Sequence, residues 1–406
     1  MRASENISDI ASYRAPGDGH TQRVCLEYSY DVIFTRNAFD PANGALVNVL
    51  AGAGARRPSR AAVFVDAEVL RAIPDLAGRI AAYFSAHGAA IELAGAIVAV
   101  PGGEAAKNDP AVLERLLVAL KERRIDRHAY SIAVGGGAVL DAVGFAAAIF
   151  HRGVRHVRMP TTVLAQDDGG VGVKCAVNAL GIKNLVGAFA PPTAVINDGA
   201  FLDALPPAVK RDGMAEAVKV ALIRDGAFFA WLEANAAALA GGEPGALDRM
   251  IRRCAELHMR QIAHGGDPFE RGSARPLDYG HWSAHRLEAM TGNALSHGAA
   301  VAIGIALDTR YSVTAGLLAA GVDERVAALL ERLGFALWHA ALAERAADGR
   351  LAVLGGLEEF REHLGGELTV TLLEAVGAGV EVHAIDDAGV VAAIDWLAAR
   401  RGAARS

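Results

Sequence analysis

The sequence predicts an α/β protein, with a parallel-sheet domain in the N-terminal half followed by a mostly α-helical domain. Three observations carry that expectation. Short β-branched runs alternate with helical stretches up to about residue 200, the pattern of a doubly wound sheet. Beyond Val195-Ile196-Asn197-Asp198 the chain turns Ala- and Leu-rich with a helical period. A length of 406 residues, 52% of them hydrophobic, is ample for two cores. The expected division is an N-terminal extension over 1–24, the sheet domain over 25–199 and the helical domain over 200–406.

Taken in order, Gln22–Tyr30 (QRVCLEYSY) alternates like a half-buried strand, and Ala61–Val65 (AAVFV) is a short apolar run closed by Asp66. Ala96–Val100 (AIVAV) reads as a third strand leading into Pro101-Gly102-Gly103. Asp109 to Arg124 has helical period and opens on Asn108-Asp109-Pro110, a capping carboxylate with proline in the first turn. Ser131–Val134 is a buried strand ending in Gly135-Gly136-Gly137, and Val139–Phe150 a helix of small residues. Helices are expected at Pro207–Arg224, Phe228–Leu239, Ala246–Ala263, Trp282–Met290 and His297–Ala315, with Gly241–Gly245 a loop between two of them. Two late strands, Leu368–Leu373 and Val380–Ala384, precede a basic tail expected to fray over its last ten or so residues.

Composition excludes several classes. A net charge of −6 leaves no electrostatic footprint for nucleic acid or an anionic membrane, and the clusters at Arg56–Arg60 and Lys121–Arg124 read as solvated faces. No apolar stretch approaches the ~20 residues of a membrane span. Residues 1–23 carry Glu5, Asp9 and Asp18 without an apolar core, unlike a signal peptide. Cys25, Cys175 and Cys254 are too widely spaced for a disulfide scaffold or a zinc ribbon. The expected location is the cytoplasm, with no nucleic-acid or membrane partner.

Two groups of residues carry chemistry. The turn Gly135-Gly136-Gly137 lets backbone approach a phosphate at a helix N-terminus, and Asp141 one turn later can accept from a ribose or amide. Glu104 and Lys107 follow another strand, and Asp66 closes a third, where a carboxylate can hold ribose hydroxyls. Each turn alone also reads as a plain tight connection, and none is the GxGxxG fingerprint. Together they point to a dinucleotide. In the second half, His281 and His285 stand at i, i+4, His297 opens a further helix, and Glu216 and Lys219 lie at i, i+3 in an apolar wall. A carboxylate buried there needs a partner, and one Glu with two His makes a catalytic divalent-metal site. Between the halves, Asp168 to Lys174 and then Lys183-Asn184 set lysines on glycine-rich backbone, suited to a phosphate or simply to solvent.

Six ordered runs extend this reading: GGGAVLDAVGFAAAIFHRGV (135–154), PTTVLAQDDGGVGVKCAVN (160–178), GIKNLVGAF (181–189), AEAVKVALI (215–223), GHWSAH (280–285) and HGAAVAIG (297–304). On these the chain resembles the 3-dehydroquinate synthase superfamily, the sugar phosphate cyclases, over nearly everything after about residue 25. RPLDYGHWSAHRLEAMTG and FREHLGG look like the branch encoded in ebo-type gene clusters. The resemblance implies a dehydroquinate synthase-like fold, with an N-terminal NAD-binding domain and a helical metal-binding domain, usually as a homodimer. It implies that Glu216, His281 and His297 bind zinc, cobalt or another divalent metal. It puts Asp66, Glu104, Lys107, Gly136, Gly137, Asp141, Thr161, Thr162 and Lys183 on NAD-binding positions. Lys219, His285 and Asp168 fall on catalytic positions, and Arg152, Lys174 and Asn184 on substrate-binding ones, Arg152 reaching a neighbouring subunit's phosphate. The implied reaction is transient oxidation by NAD, β-elimination of phosphate, re-reduction and intramolecular aldol closure.

Departures from the family pattern bear on the substrate. Ala274 stands where the quinate enzyme has an arginine facing a carboxylate, Asp278 replaces an asparagine, and Arg260 replaces a lysine. Ala299 replaces the glutamate of HGEA, and Ala204 a threonine near the cofactor. A carboxylate prefers a charged fork, whereas Asp278 would repel it and accept from hydroxyls. The small-molecule sugar phosphate expected is therefore sedoheptulose 7-phosphate. The acidic shikimate precursor stays open if Arg275 replaces the missing arginine, as does a metal-dependent polyol or glycerol phosphate dehydrogenase. Arg361 or His363 is the expected stand-in for a late phosphate-contacting lysine.

Overall fold

Eleven strands occur among the described residues. In chain order they are β1 (Asp31–Thr35), β2 (Ser59–Asp66), β3 (Ile91–Leu93), β4 (Val98–Val100), β5 (Tyr130–Gly135) and β6 (Arg155–Pro160). There follow β7 (Lys174–Ala179), β8 (Ile182–Phe189), β9 (Ala194–Asp198), β10 (Val370–Ala375) and β11 (Ala378–Val382). The computed structural model describes residues 22, 24, 26–51, 57–267, 269, 276–363 and 366–403. Seven strands form one parallel sheet in the order β1-β9-β6-β5-β2-β3, with β4 also pairing β2.

The sheet is covered on both faces, as an all-parallel sheet requires. Successive side chains of β2 go to opposite faces. Ala61, Val63 and Val65 join Leu46, Leu76, Ile80 and Tyr83 in one core, while Ala62 and Phe64 join Val112, Leu116, Leu140 and Val143 in the other. The Asp109 cap accepts from the Ala111 N–H, with Pro110 in the first turn of the helix Pro110–Glu122. Since the strands are parallel, Asp66, Val100, Gly135, Pro160 and Asp198 end on one edge, where open α/β sheets bind ligands.

Two expectations are corrected. The described residues of Gln22–Tyr30 form no strand: Val24, Leu26 and Tyr28 are exposed. Asp31–Thr35 takes the edge of β9 instead, and alternation alone does not reveal which part of a segment finds a partner. The C-terminal tail is helical over Asp387–Ala403, and the last residues of the expected frayed tail, 404–406, lie outside the described residues. Leu397 is buried there, and Arg400 pairs with Glu331 and Glu324 while lying 5.6 Å from the Trp396 ring centroid. These anchors hold the end of a helix that basic composition suggests would fray.

The second half packs helices Pro207–Arg224, Gly226–Ala240, Pro244–His264, His281–Met290 and His297–Thr314 around one large core. From Gly213 to Ile223 every residue is buried, so Glu216 and Lys219 sit inside protein. Glycines allow the close approaches that bring these helices together. A Cβ at Gly304 would overlap the Gly280 carbonyl oxygen, one at Gly298 the Asp212 backbone, and one at Gly213 would lie 2.5 Å from Leu164 N. β10 and β11 form an antiparallel hairpin, as do β7 and β8. No helix among the described residues is long and apolar enough to cross a membrane.

Candidate active site

Three helices converge on one point. Glu216, His281 and His297 each offer a ligand atom, all within 4.8 Å of one another. Glu216 Oε1 lies 3.2 Å from His297 Nε2 and 3.5 Å from His281 Nε2. Glu216 is fully buried, yet neither of its oxygens accepts a well-formed hydrogen bond. His281 Nδ1 is 3.1 Å from the Tyr279 carbonyl, which leaves Nε2 with its lone pair toward the carboxylate. A buried anion with two imidazole nitrogens directed at it fits a divalent ion.

The polar contacts continue on both sides. Lys219 pairs with Glu216 Oε2 and lies 3.9 Å from Asp168 Oδ1, which is 2.7 Å from His258 Nδ1. On the other side His297 Nδ1 is 3.3 Å from Glu288 Oε1, which accepts from Lys183 Nζ at 3.0 Å. Burial works to raise the Glu216 carboxyl, but Lys219 and the imidazoles outweigh it and hold it well below the usual range. Burial likewise opposes charge on Lys219, and the Asp168 and Glu216 carboxylates reverse that, leaving the ammonium harder to deprotonate than normal. For His297 burial is overcome by Glu216 and Glu288, which push it up to about 9. A metal ion would take that proton's place.

The helix Val163–Asp167, which follows the end of β6, packs against the helix that carries Glu216. Asp66, nearly buried, caps the helix Ala67–Ala72 by accepting from Glu68 N. Gly136 is the N-cap of the helix Gly137–Ile149, and a Cβ at Gly137 would meet no atom within 4 Å. Thr162 caps the helix Val163–Asp167, and the buried Thr161 hydroxyl has no hydrogen-bond partner among the described residues. An open helix N-terminus, a strand-end carboxylate and an unsatisfied hydroxyl fit a dinucleotide. The β7–β8 hairpin crosses to this side: Lys107, buried, donates to Asp141 at 2.7 Å and also to Asn184, while Asn178 donates to Glu104 at 2.8 Å. Lys183, the neighbour of Asn184, reaches instead to Glu288.

Other expected residues stand further out. His285 is exposed, its ring centroid 5.3 Å from that of His281 and 6.2 Å from that of His297. Lys174 is exposed at the start of β7, and Arg260 is exposed on the helix Pro244–His264. Asp278 is half-buried in a short turn, Pro276–Asp278, and its charge helps to keep Lys219 protonated. Arg152 has a left-handed φ of 63° and lines a surface depression with Asp126, Arg127, Ile149 and His151. Arg361 is exposed on the helix Gly355–His363. Arg275, Ala274 and the His363 side chain lie outside the described residues.

Four residues were missed by sequence reasoning. His258 backs Asp168, and Glu288 backs His297. Glu288 lies at i+7 from His281 and i+3 from His285, so the helical face already in view contained its signal. Arg158, 1% exposed, donates to the carbonyls of Gly170, Gly172 and Lys174 at 3.3, 2.8 and 3.0 Å, holding the glycine-rich segment after Asp168. Asp167 is fully buried with both carboxyl oxygens lacking partners among the described residues, and burial pushes its pKa well above normal.

Residues 97–212 match the 3-dehydroquinate synthase N-terminal family and 213–352 the 3-dehydroquinate synthase C-terminal family. A 3-dehydroquinate synthase of Paracoccus denitrificans is 39% identical over 293 residues, 72% of this chain and 78% of its own length. A 2-epi-5-epi-valiolone synthase of Streptomyces glaucescens is 37% identical over 314 residues, 77% of each chain. Among solved structures, a 2-epi-5-epi-valiolone synthase from Streptomyces hygroscopicus with NAD+ and Zn2+ bound superposes with a TM-score of 0.83. It is 28% identical, and the match covers 94% of this chain and 100% of that one.

Proposed function

Because this chain belongs to the 3-dehydroquinate synthase family of sugar phosphate cyclases, we propose that it closes a carbocycle from a ketose 7-phosphate, sedoheptulose 7-phosphate in particular. The observation that carries this reading is the convergence of Glu216, His281 and His297 beside Lys219 and Asp168. Bound NAD would accept and return a hydride, and a divalent ion, zinc or cobalt, would acidify the substrate hydroxyls it holds. Glu216, His281 and His297 would hold the ion, and Asp66 with the open N-terminus at Gly136-Gly137 would hold the dinucleotide. The relative solved with NAD+ and Zn2+ supports the choice of these two cofactors.

Lys219, kept charged by Asp168 and Glu216, would donate to a substrate oxygen. Asp168 would accept from a substrate hydroxyl, oriented from behind by His258. Lys174, Asn184 and His285 would receive the phosphate, joined by Arg152 from a second copy in a homodimer. Asp278 favours a neutral ketose over an acid: a carboxylate beside it would be repelled, whereas a hydroxyl finds an acceptor.

The test incubates the full chain with NAD+ and zinc or cobalt, and with either sedoheptulose 7-phosphate or the acidic seven-carbon shikimate precursor. Phosphate release from the first, a cyclitol-type C7 carbocycle in the product NMR spectrum and no net NADH are expected. Turnover of only the acidic substrate would make the protein a 3-dehydroquinate synthase. NADH accumulating with product from a polyol or glycerol phosphate would indicate a dehydrogenase. No phosphate release from either sugar overturns the cyclase reading.

A further inference from the structure

The two imidazoles facing Glu216 are held differently. His281 Nδ1 meets a neutral acceptor, the Tyr279 carbonyl, at 3.1 Å. His297 Nδ1 lies 3.3 Å from a carboxylate oxygen, Glu288 Oε1, a charge contact without a well-formed hydrogen bond, and Glu288 is only 5% exposed. The same oxygen accepts from Lys183 Nζ at 3.0 Å, and Lys183 comes from β8, next to Asn184, the residue that bonds Lys107. Glu288 thus touches both a histidine of the metal cluster and the hairpin that crosses to the strand-end side.

His285, Glu288 and His297 also bring ligand atoms within 4.8 Å of one another, which raises a second cation site as the competing reading. Lys183 weighs against it: its ammonium lies 3.0 Å from Glu288 Oε1, and a divalent ion added at that carboxylate would be repelled at close range.

We propose that Glu288 is a positioning residue: its carboxylate fixes the His297 ring so that Nε2, at 3.2 Å from Glu216, is free to bind metal, and Lys183 anchors that carboxylate from the β7–β8 hairpin. Carboxylates behind metal-bound histidines typically govern affinity by 10–100-fold. The inference rests on the metal reading given above.

The test is zinc titration of the metal-free full chain against a competing chelator, without substrate or turnover. Wild type is expected to bind one zinc per chain. Glu288→Gln, which keeps the shape and removes the charge, is expected to bind it about 10–100-fold more weakly with an unchanged circular dichroism spectrum. Should Glu288→Gln fail to fold, Glu288→Asp withdraws the carboxylate by one methylene and is expected to weaken zinc binding in the same direction. Wild-type affinity in a folded variant overturns the positioning role while leaving the metal reading intact. Two zinc ions per wild-type chain overturn it in favour of a second cation site. No zinc binding by wild type removes the metal reading itself, and this inference with it.

Discussion

Asp308 shows how a single residue outside the ligand set shapes the cluster. It is buried on the helix His297–Thr314, accepts from Gly280 N at 3.0 Å and Trp282 Nε1 at 2.9 Å, and so holds the two neighbours of His281. Burial raises its pKa to about 7, despite the two donors, from 3.8 in an unperturbed chain. A carboxyl with a raised folded-state pKa contributes stability that is fully present below about pH 4 and is lost as pH climbs through 7. Urea unfolding of wild type and Asp308→Asn across pH 4–8 should therefore show wild type losing ground by up to about 4 kcal/mol. A constant offset over that range would mean that Asp308 does not titrate there. The spacing of His281, His285 and His297 was legible in the sequence, and Glu216 with them. His258 was not, because its partner Asp168 lies 90 residues away; Glu288 shares the helical face of His281 and His285, but its Lys183 partner lies 105 residues away, a separation that only the fold can close.

At the scale of elements, the site depends on how closely the helices approach. The His297–Thr314 helix touches the turn before His281 through Gly304, where any side chain would displace the Gly280 carbonyl. Gly280 is itself left-handed, with φ 78°, as the N-cap of the helix His281–Met290. Gly304→Ala should destabilise the protein by about 1–3 kcal/mol, seen as a lower urea midpoint, and weaken zinc binding by displacing His281. An unchanged midpoint would show that the two elements can separate without cost. Element identity was easy to read where periodicity was strong: Pro244–His264 covers the expected helix Ala246–Ala263. It was harder where context decides. The alternation of Gln22–Tyr30 promised a strand one segment too early, and the basic tail concealed the Leu397 and Arg400 anchors of a helix. The β7–β8 hairpin, which follows a glycine-rich stretch, was read for its lysines rather than as strands.

For the whole molecule, ion binding and folding are linked. A ligand that binds only the folded chain stabilises it by about 2.7 kcal/mol at a hundred times its Kd. Zinc should therefore raise the Tm of wild type, and should not raise that of Glu216→Ala or His297→Ala, both of which should still bind NAD. Full metal occupancy in either variant would overturn the ligand assignment. The sheet has a different consequence, for the order in which the chain can assemble. Among the described residues β1 is paired only with β9, Asp31 opposite Ala194 and Thr35 opposite Asp198. On the ribosome β1 therefore emerges before its partner in this sheet and must wait for β9 to be made. Until then it is an unpaired edge, exposed to wrong partners, and a chain interrupted anywhere before Ala194 leaves it so.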